Sequence, residues 1–119
     1  MTMLAHFLIA LIAVLHVYFV LLETVLFKTR GRRVFGLSAE KAEIMAPAMS
    51  NQGCYNGFLV AALVLGLLHP DAAVARAFAV FGLVCVAVAG AWGAATVKKT
   101  ILWIQCVPAL LALAALLLG

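Results

Sequence analysis

Charge is scarce in this chain. Only 10% of its 119 residues are Asp, Glu, Lys or Arg, and just four are acidic. A soluble domain keeps roughly a quarter of its residues charged to cover its surface, so the deficit excludes a water-soluble globular domain. Cysteine is equally thin. Cys54, Cys85 and Cys106 each stand alone in apolar sequence, with no C-x-x-C pair and no metal-ligand spacing. That excludes a thiol redox motif and a zinc site, and leaves the three as small hydrophobes. Also missing are a nucleophile elbow, a dinucleotide-binding glycine pattern, internal repeats and low-complexity stretches. The alternating segments of about ten residues that a membrane β-barrel needs do not occur either.

Hydrophobic residues fill the space: they make up 68% of the chain and fall into four long blocks, each close to the roughly 20 residues that span a bilayer core. Within such a core every backbone N–H and C=O must find an internal partner, so blocks of this length predict helices. The expected fold is all-α: a polytopic membrane protein with four transmembrane helices in an up-down-up-down bundle. Residues 1–119 form a single domain, with spans at 3–27, 47–68, 72–96 and 100–118 and a basic cytoplasmic loop at 28–46. The first block is expected to be a retained helix rather than a signal peptide, because no Lys or Arg precedes Lys28 and no small-x-small cleavage site follows it.

The net charge of +4 is distributed by topology. Lys28, Arg30, Arg32, Arg33 and Lys41 lie between the first two blocks, Lys98 and Lys99 between the last two, and only Arg76 flanks the middle loop. By the positive-inside rule the first and third loops face the cytoplasm, and both termini and the His69–Pro70–Asp71 turn face outward. The basic residues, Arg30, Arg32 and Arg33 above all, are candidates for contact with anionic lipid headgroups. No nucleic acid partner is expected. Local signals refine the helices. Ser38 is a candidate N-cap followed by Glu40 and Glu43, so 39–46 extends the second helix into the interface. Pro47 and Pro108 are expected to perturb their helices. Gly31 and Gly36 suit turns.

Several segments together carry a family likeness: His16-Val-Tyr18-Phe19 with Glu23; Val34-Phe35-Gly36-Leu37; Asn51-Gln52-Gly53-Cys54-Tyr55-Asn56-Gly57-Phe58; Ala89-Gly90-Ala91-Trp92-Gly93; and Gln105 with Pro108-Ala109-Leu110. The chain resembles, over nearly its full length, a family of small bacterial membrane proteins known as domain of unknown function 1304. Phe27 departs from the pattern, standing where Trp is expected near the interface. The resemblance implies the fold and a multi-pass protein of the bacterial inner membrane. It implies no activity.

The candidate site comes from the polar groups inside the blocks. An ionisable residue in a spanning segment costs around 3 kcal/mol at the helix centre, which makes Glu23 a functional candidate, although a carboxylate this near the end of its span also reads as an interfacial ion pair with a loop arginine. His16 lies seven residues earlier, nearly two turns, so the two share a face about 10 Å apart along the axis. A lone His on an apolar helix also reads as a hydrogen-bonded packing residue. In the second block, Gln52 and Asn56 share a face, with Asn51 beside them and Gly53 and Gly57 forming a G-x-x-x-G pair. Helix–helix glue is the plainer reading of those five residues. Depth favours a site. The directions of the spans put Glu23, Asn51, Gln52 and Gln105 in the cytoplasmic half, as the walls of a polar chamber with His16 and Asn56 as its floor.

Three functions fit these residues. A small-solute or proton-coupled transporter or binding protein would use Glu23 as the proton carrier and the carboxamides in place of hydration. Four helices leave little room for a path, so this reading predicts a homo-oligomer, with the small residues Gly82, Gly90 and Gly93 of the third block as one possible face. A membrane enzyme or binder of an amphipathic, lipid-like substrate would use Glu23 and His16 as acid–base groups. An accessory subunit needs neither. Haem ligation by His16 lacks a second His at matching depth within one chain, since His6 and His69 lie near the outer surface. No cofactor is expected, and transport or binding of a small solute is the preferred reading.

Overall fold

The computed structural model describes residues 1–119. Every regular element is helical, in the order α1 (Met3–Glu23), a π turn (Phe27–Gly31), α2 (Arg32–Val34), α3 (Ala39–Leu68), α4 (Ala72–Thr96), a second π turn (Leu102–Cys106) and α5 (Val107–Leu118). Of these, α1, α3 and α4 are long and apolar enough to cross a membrane. Leu102–Leu118 is a shorter apolar helix, at the lower end of the roughly 17–25 residues that suffice. Large apolar side chains such as Phe7, Val14, Phe81, Trp92, Trp103 and Leu118 are exposed. Outward apolar faces on this scale belong against lipid rather than water.

Side-chain caps set the starts of the long helices. Thr2 Oγ1 accepts from the Ala5 N–H, Ser38 Oγ from Lys41 N–H, and Asp71 Oδ1 from Ala73 and Val74 N–H, each satisfying donors that a helix leaves open in its first turn. The end of α1 departs from the sequence expectation of a helix to residue 27. After Glu23 the ladder slips: Leu26 N–H donates to the Leu21 carbonyl at 2.9 Å and Gly31 N–H to the Leu26 carbonyl at 2.8 Å, both five residues back, the π pattern. Thr24 Oγ1 meanwhile donates to the Val20 carbonyl at 2.6 Å, a back-bond that disturbs the helix at this point. The basic segment then closes in a Schellman motif. Leu37 N–H reaches the Arg32 carbonyl and Gly36 N–H the Arg33 carbonyl, with Gly36 at φ 69° in the left-handed region.

α3 runs unbroken through Pro47. Around Pro108 the outcome is different. Instead of one helix over 100–118 there is a π turn, with Pro108 entering α5 in its first two positions. A proline has no N–H to give and its ring crowds the carbonyl four residues back. The wider turn just before it relieves that conflict.

The chain forms two compact units, Met1–Val14 with Leu59–Gly119, and Leu15–Phe58. The core of the first is aliphatic and small. It comprises Ala5, Ile9, Ile12 and Ala13 of α1, Leu63 of α3, Ala79, Leu83, Val86 and Ala87 of α4, and Ala109, Ala112 and Leu116 of α5. The three- and four-residue spacing marks one face of each helix. Because lipid offers no hydrophobic drive for helices to associate, close van der Waals contact has to hold such a core, and α4 provides it. A Cβ on Gly90 would lie 2.5 Å from the Cys106 backbone nitrogen, so the absence of a side chain there sets how near α4 and the second π turn approach.

In the second unit a seam runs along α3 through Ala42, Ala46, Met49, Gly53 and Asn56, all buried or half-buried, at alternating spacings of four and three. Lys28 and Glu43 form a salt bridge at 2.8 Å between two exposed side chains. Such a pair contributes at most about 1 kcal/mol.

Candidate functional site

The second unit brings two of the expected site residues together. Seven residues apart on α1, His16 and Glu23 present the same face, and both are buried, at 0% and 7% exposure. Opposite them, Gly53 opens α3: a Cβ there would sit 2.6 Å from Thr24 Cγ2 and 3.3 Å from Glu23 Cβ. With the end of α1 drawn in at Gly53, Asn56, one turn further along α3, reaches the carboxylate, and its Nδ2 donates to Glu23 Oε1 at 2.5 Å. The sequence left open a pairing of Glu23 with a loop arginine; its partner is this carboxamide. The His16 ring meets Phe19 edge-on, with centroids 5.2 Å apart and planes at 73°. No buried side-chain nitrogen or oxygen lacks a partner, and His16 and Gln105 both make interactions.

Other members of the expected chamber lie elsewhere. Asn51 and Gln52 are exposed and do not wall a pocket around Glu23. The reason is helical phase. Sequence spacing pairs Gln52 with Asn56 as readily as Gly53 with Asn56, but the seam takes the second pair, which rotates Gln52 by about 100° away from it. Gly57 is likewise not a contact of the fold, since a Cβ on it would meet nothing within 4 Å. Of the expected G-x-x-x-G pair only Gly53 is used within the chain. Gln105 belongs to the other unit, half-buried on the second π turn beside Gly90.

One pair escaped sequence reasoning. Arg30 Nε donates to Tyr18 Oη at 2.6 Å, and its guanidinium carbon lies 5.6 Å from the ring centroid, within cation–π range. In an unbroken helix residues 18 and 30 stand about 18 Å apart, and only the slip after Glu23 brings the arginine back. Of the other headgroup candidates, Arg33 is exposed, and Arg32 is half-buried with Nη1 donating to the Leu37 carbonyl at 3.4 Å. Cys54 is exposed, Cys85 half-buried and Cys106 buried, all as free thiols. No three His, Cys, Asp or Glu side chains gather as metal ligands.

The arrangement is therefore a buried carboxylate, held by one carboxamide donor, on the same helix face as a buried imidazole. A carboxylate so placed can hold and release a proton or take a small cation. No curated protein and no solved structure matches the chain. The model of the family described as Protein of unknown function (DUF1304) matches residues 10–117, so the chain belongs to the family that its polar segments resemble.

Proposed function

We propose that the protein is a small-solute or proton-coupled transporter or binding protein of the bacterial inner membrane, with Glu23 as the group that gains and loses the proton or cation and Asn56 as the donor that holds it. In this reading residues 1–119 act as one domain crossing the membrane four times in an up-down-up-down bundle, with the basic segment and Lys98–Lys99 in the cytoplasm and both termini outside. The observation that carries it is the Glu23–Asn56 hydrogen bond between two buried side chains. An acidic residue inside an apolar span is costly, and glue between helices needs only amides and small residues. The test is proton flux into proteoliposomes holding the full chain, wild type against Glu23→Gln. Glutamine keeps the size and the hydrogen bond to Asn56 while removing the titrating group. Most of the flux is expected to disappear; equal flux in both overturns the reading.

The same reading places a second copy of the chain on the outward side of α3. Asn51, Cys54, Tyr55 and Phe58 are exposed along one stripe and Gly57 leaves open space beside it. Carboxamides in or near hydrocarbon need polar partners, and a carboxamide complements itself. Oxidative cross-linking of membranes should couple Cys54 to Cys54 and yield dimer. The Gly57→Leu variant is expected to keep the monomer's melting temperature and lose the cross-link, and an unchanged yield would exclude this face.

A further inference from the structure

A cavity of about 360 Å³ opens at the turn between α3 and α4, within the first unit and separate from the residues around Glu23. His6 of α1, His69 of the turn and Arg76 of α4 line it, together with Leu67, Ala75 and Leu116. Its polar lining offers donors and an acceptor, and the surrounding bonds fix which is which. The Asp71 N–H donates to His69 Nδ1 at 3.1 Å, so the proton of the neutral ring is on Nε2. His6 Nδ1 lies 2.9 Å from the Thr2 carbonyl, which can only accept, so this nitrogen carries the proton and Nε2 of the neutral ring is an acceptor. Arg76 uses Nη1 on the Leu116 carbonyl at 3.1 Å, in the last turn of α5, and a guanidinium has further donors on its other nitrogens. No carboxylate lines the space. The nearby Asp71 is committed through Oδ1 to the N–H groups of Ala73 and Val74.

A guanidinium and two imidazoles beside an aliphatic wall match a ligand that is anionic at one end and apolar at the other. We propose that this cavity binds the head of an anionic amphiphile, a lipid whose phosphate head carries a hydroxyl. Arg76 pairs with the charge, His69 Nε2–H donates to the head, His6 Nε2 accepts from a hydroxyl on it, and Leu67, Ala75 and Leu116 cover the first carbons of the chain. The volume is at the lower end of the roughly 300–1,000 Å³ of small-molecule sites, enough for a head and the start of a tail while the rest stays in the bilayer. Arg76 also complements the carbonyl end of α5, a favourable placement for a cation without any ligand, and the experiment is chosen to separate the two roles.

Purified full-length protein in dodecyl maltoside is titrated with dodecyl phosphate, with inorganic phosphate and with dodecanol, following binding at equilibrium and the melting temperature. Saturable binding of dodecyl phosphate with a raised melting temperature is expected, and much weaker binding of both controls. His6→Ala removes a cavity acceptor whose ring makes one other bond, to the Thr2 carbonyl; it is expected to leave the melting temperature of the unliganded protein unchanged and to weaken dodecyl phosphate binding about tenfold. Arg76→Gln is expected to abolish that binding, and should this variant not fold, His6→Ala decides alone. Binding of dodecanol as tight as dodecyl phosphate, or wild-type affinity in His6→Ala, overturns the site. Inorganic phosphate binding as tightly as dodecyl phosphate overturns the amphiphile as its ligand.

Discussion

Asn56→Leu is expected to lower the stability of the folded protein by about 3 kcal/mol. Leucine keeps the branching and the number of side-chain heavy atoms, so no cavity opens. The loss comes from the Glu23 carboxylate, 7% exposed, left without the donor that Asn56 Nδ2 supplies. Breaking a buried polar pair from one side strands the other group, whereas replacing both partners with apolar residues of similar size is often nearly neutral. Glu23→Leu combined with Asn56→Leu is therefore expected to return to within about 1 kcal/mol of wild type. Unfolding of the four members of this double-mutant cycle in one detergent, read by melting temperature and by denaturant titration, gives the coupling between the two residues directly. Additive losses would mean that the hydrogen bond contributes nothing. The double variant has a second use: a folded protein without the Glu23 carboxylate separates the stability of the site from its activity in the flux assay.

The helices were legible wherever a local signal marks their ends. The limits of α4, Ala72–Thr96, coincide with those read from the sequence, because Asp71 caps the start and charged Lys98–Lys99 follows the end. Ser38 was readable as the start of α3 for the same reason. Neither π turn was readable. A slip from four-residue to five-residue hydrogen bonding leaves no signature in residue type, and it depends on tertiary fit: a Cβ on Gly31 would overlap the Leu22 carbonyl, so only glycine lets the chain tuck in after α1.

The site was half legible. Glu23, His16 and Asn56 stood out as polar residues in apolar helices, and all three are buried. What the sequence could not supply is the phase of α3. In a soluble protein the polar face of a helix marks the outside and fixes which residues turn inward. Here the outward side mixes apolar Ile44, Met45 and Phe58 with exposed Asn51 and Gln52, while the inward seam is built of Ala42, Ala46, Gly53 and Asn56, itself a mixture of small and polar residues. The usual contrast is missing, so Asn51 and Gln52 looked as fit to face Glu23 as Asn56 did.

Small residues on that seam and on α4 carry a burden that hydrophobicity carries in water, and Gly90→Ala measures it. A Cβ at position 90 would lie 2.5 Å from the Cys106 nitrogen, 2.9 Å from its Cα and 2.9 Å from Gln105 Cβ. Two of these are backbone atoms, so no side-chain rotation clears the space and α4 must move off the second π turn. Overpacking of this kind costs about 1–3 kcal/mol, set against the gain of roughly 0.5–1 kcal/mol that alanine brings to a helix interior. The same change at Gly57, with nothing within 4 Å, keeps only the gain. Gly53 lies between the two, because its nearest obstacle is the Thr24 methyl group, the end of a side chain. Melting temperatures are expected to fall in the order Gly57→Ala, Gly53→Ala, Gly90→Ala, with about 1–3 kcal/mol separating the first from the last. Equal stability across the series would mean that α4 and the second π turn do not approach as closely as Gly90 permits. The widening of the chain before Pro108 would then be a local accommodation of proline with no part in holding the helices together.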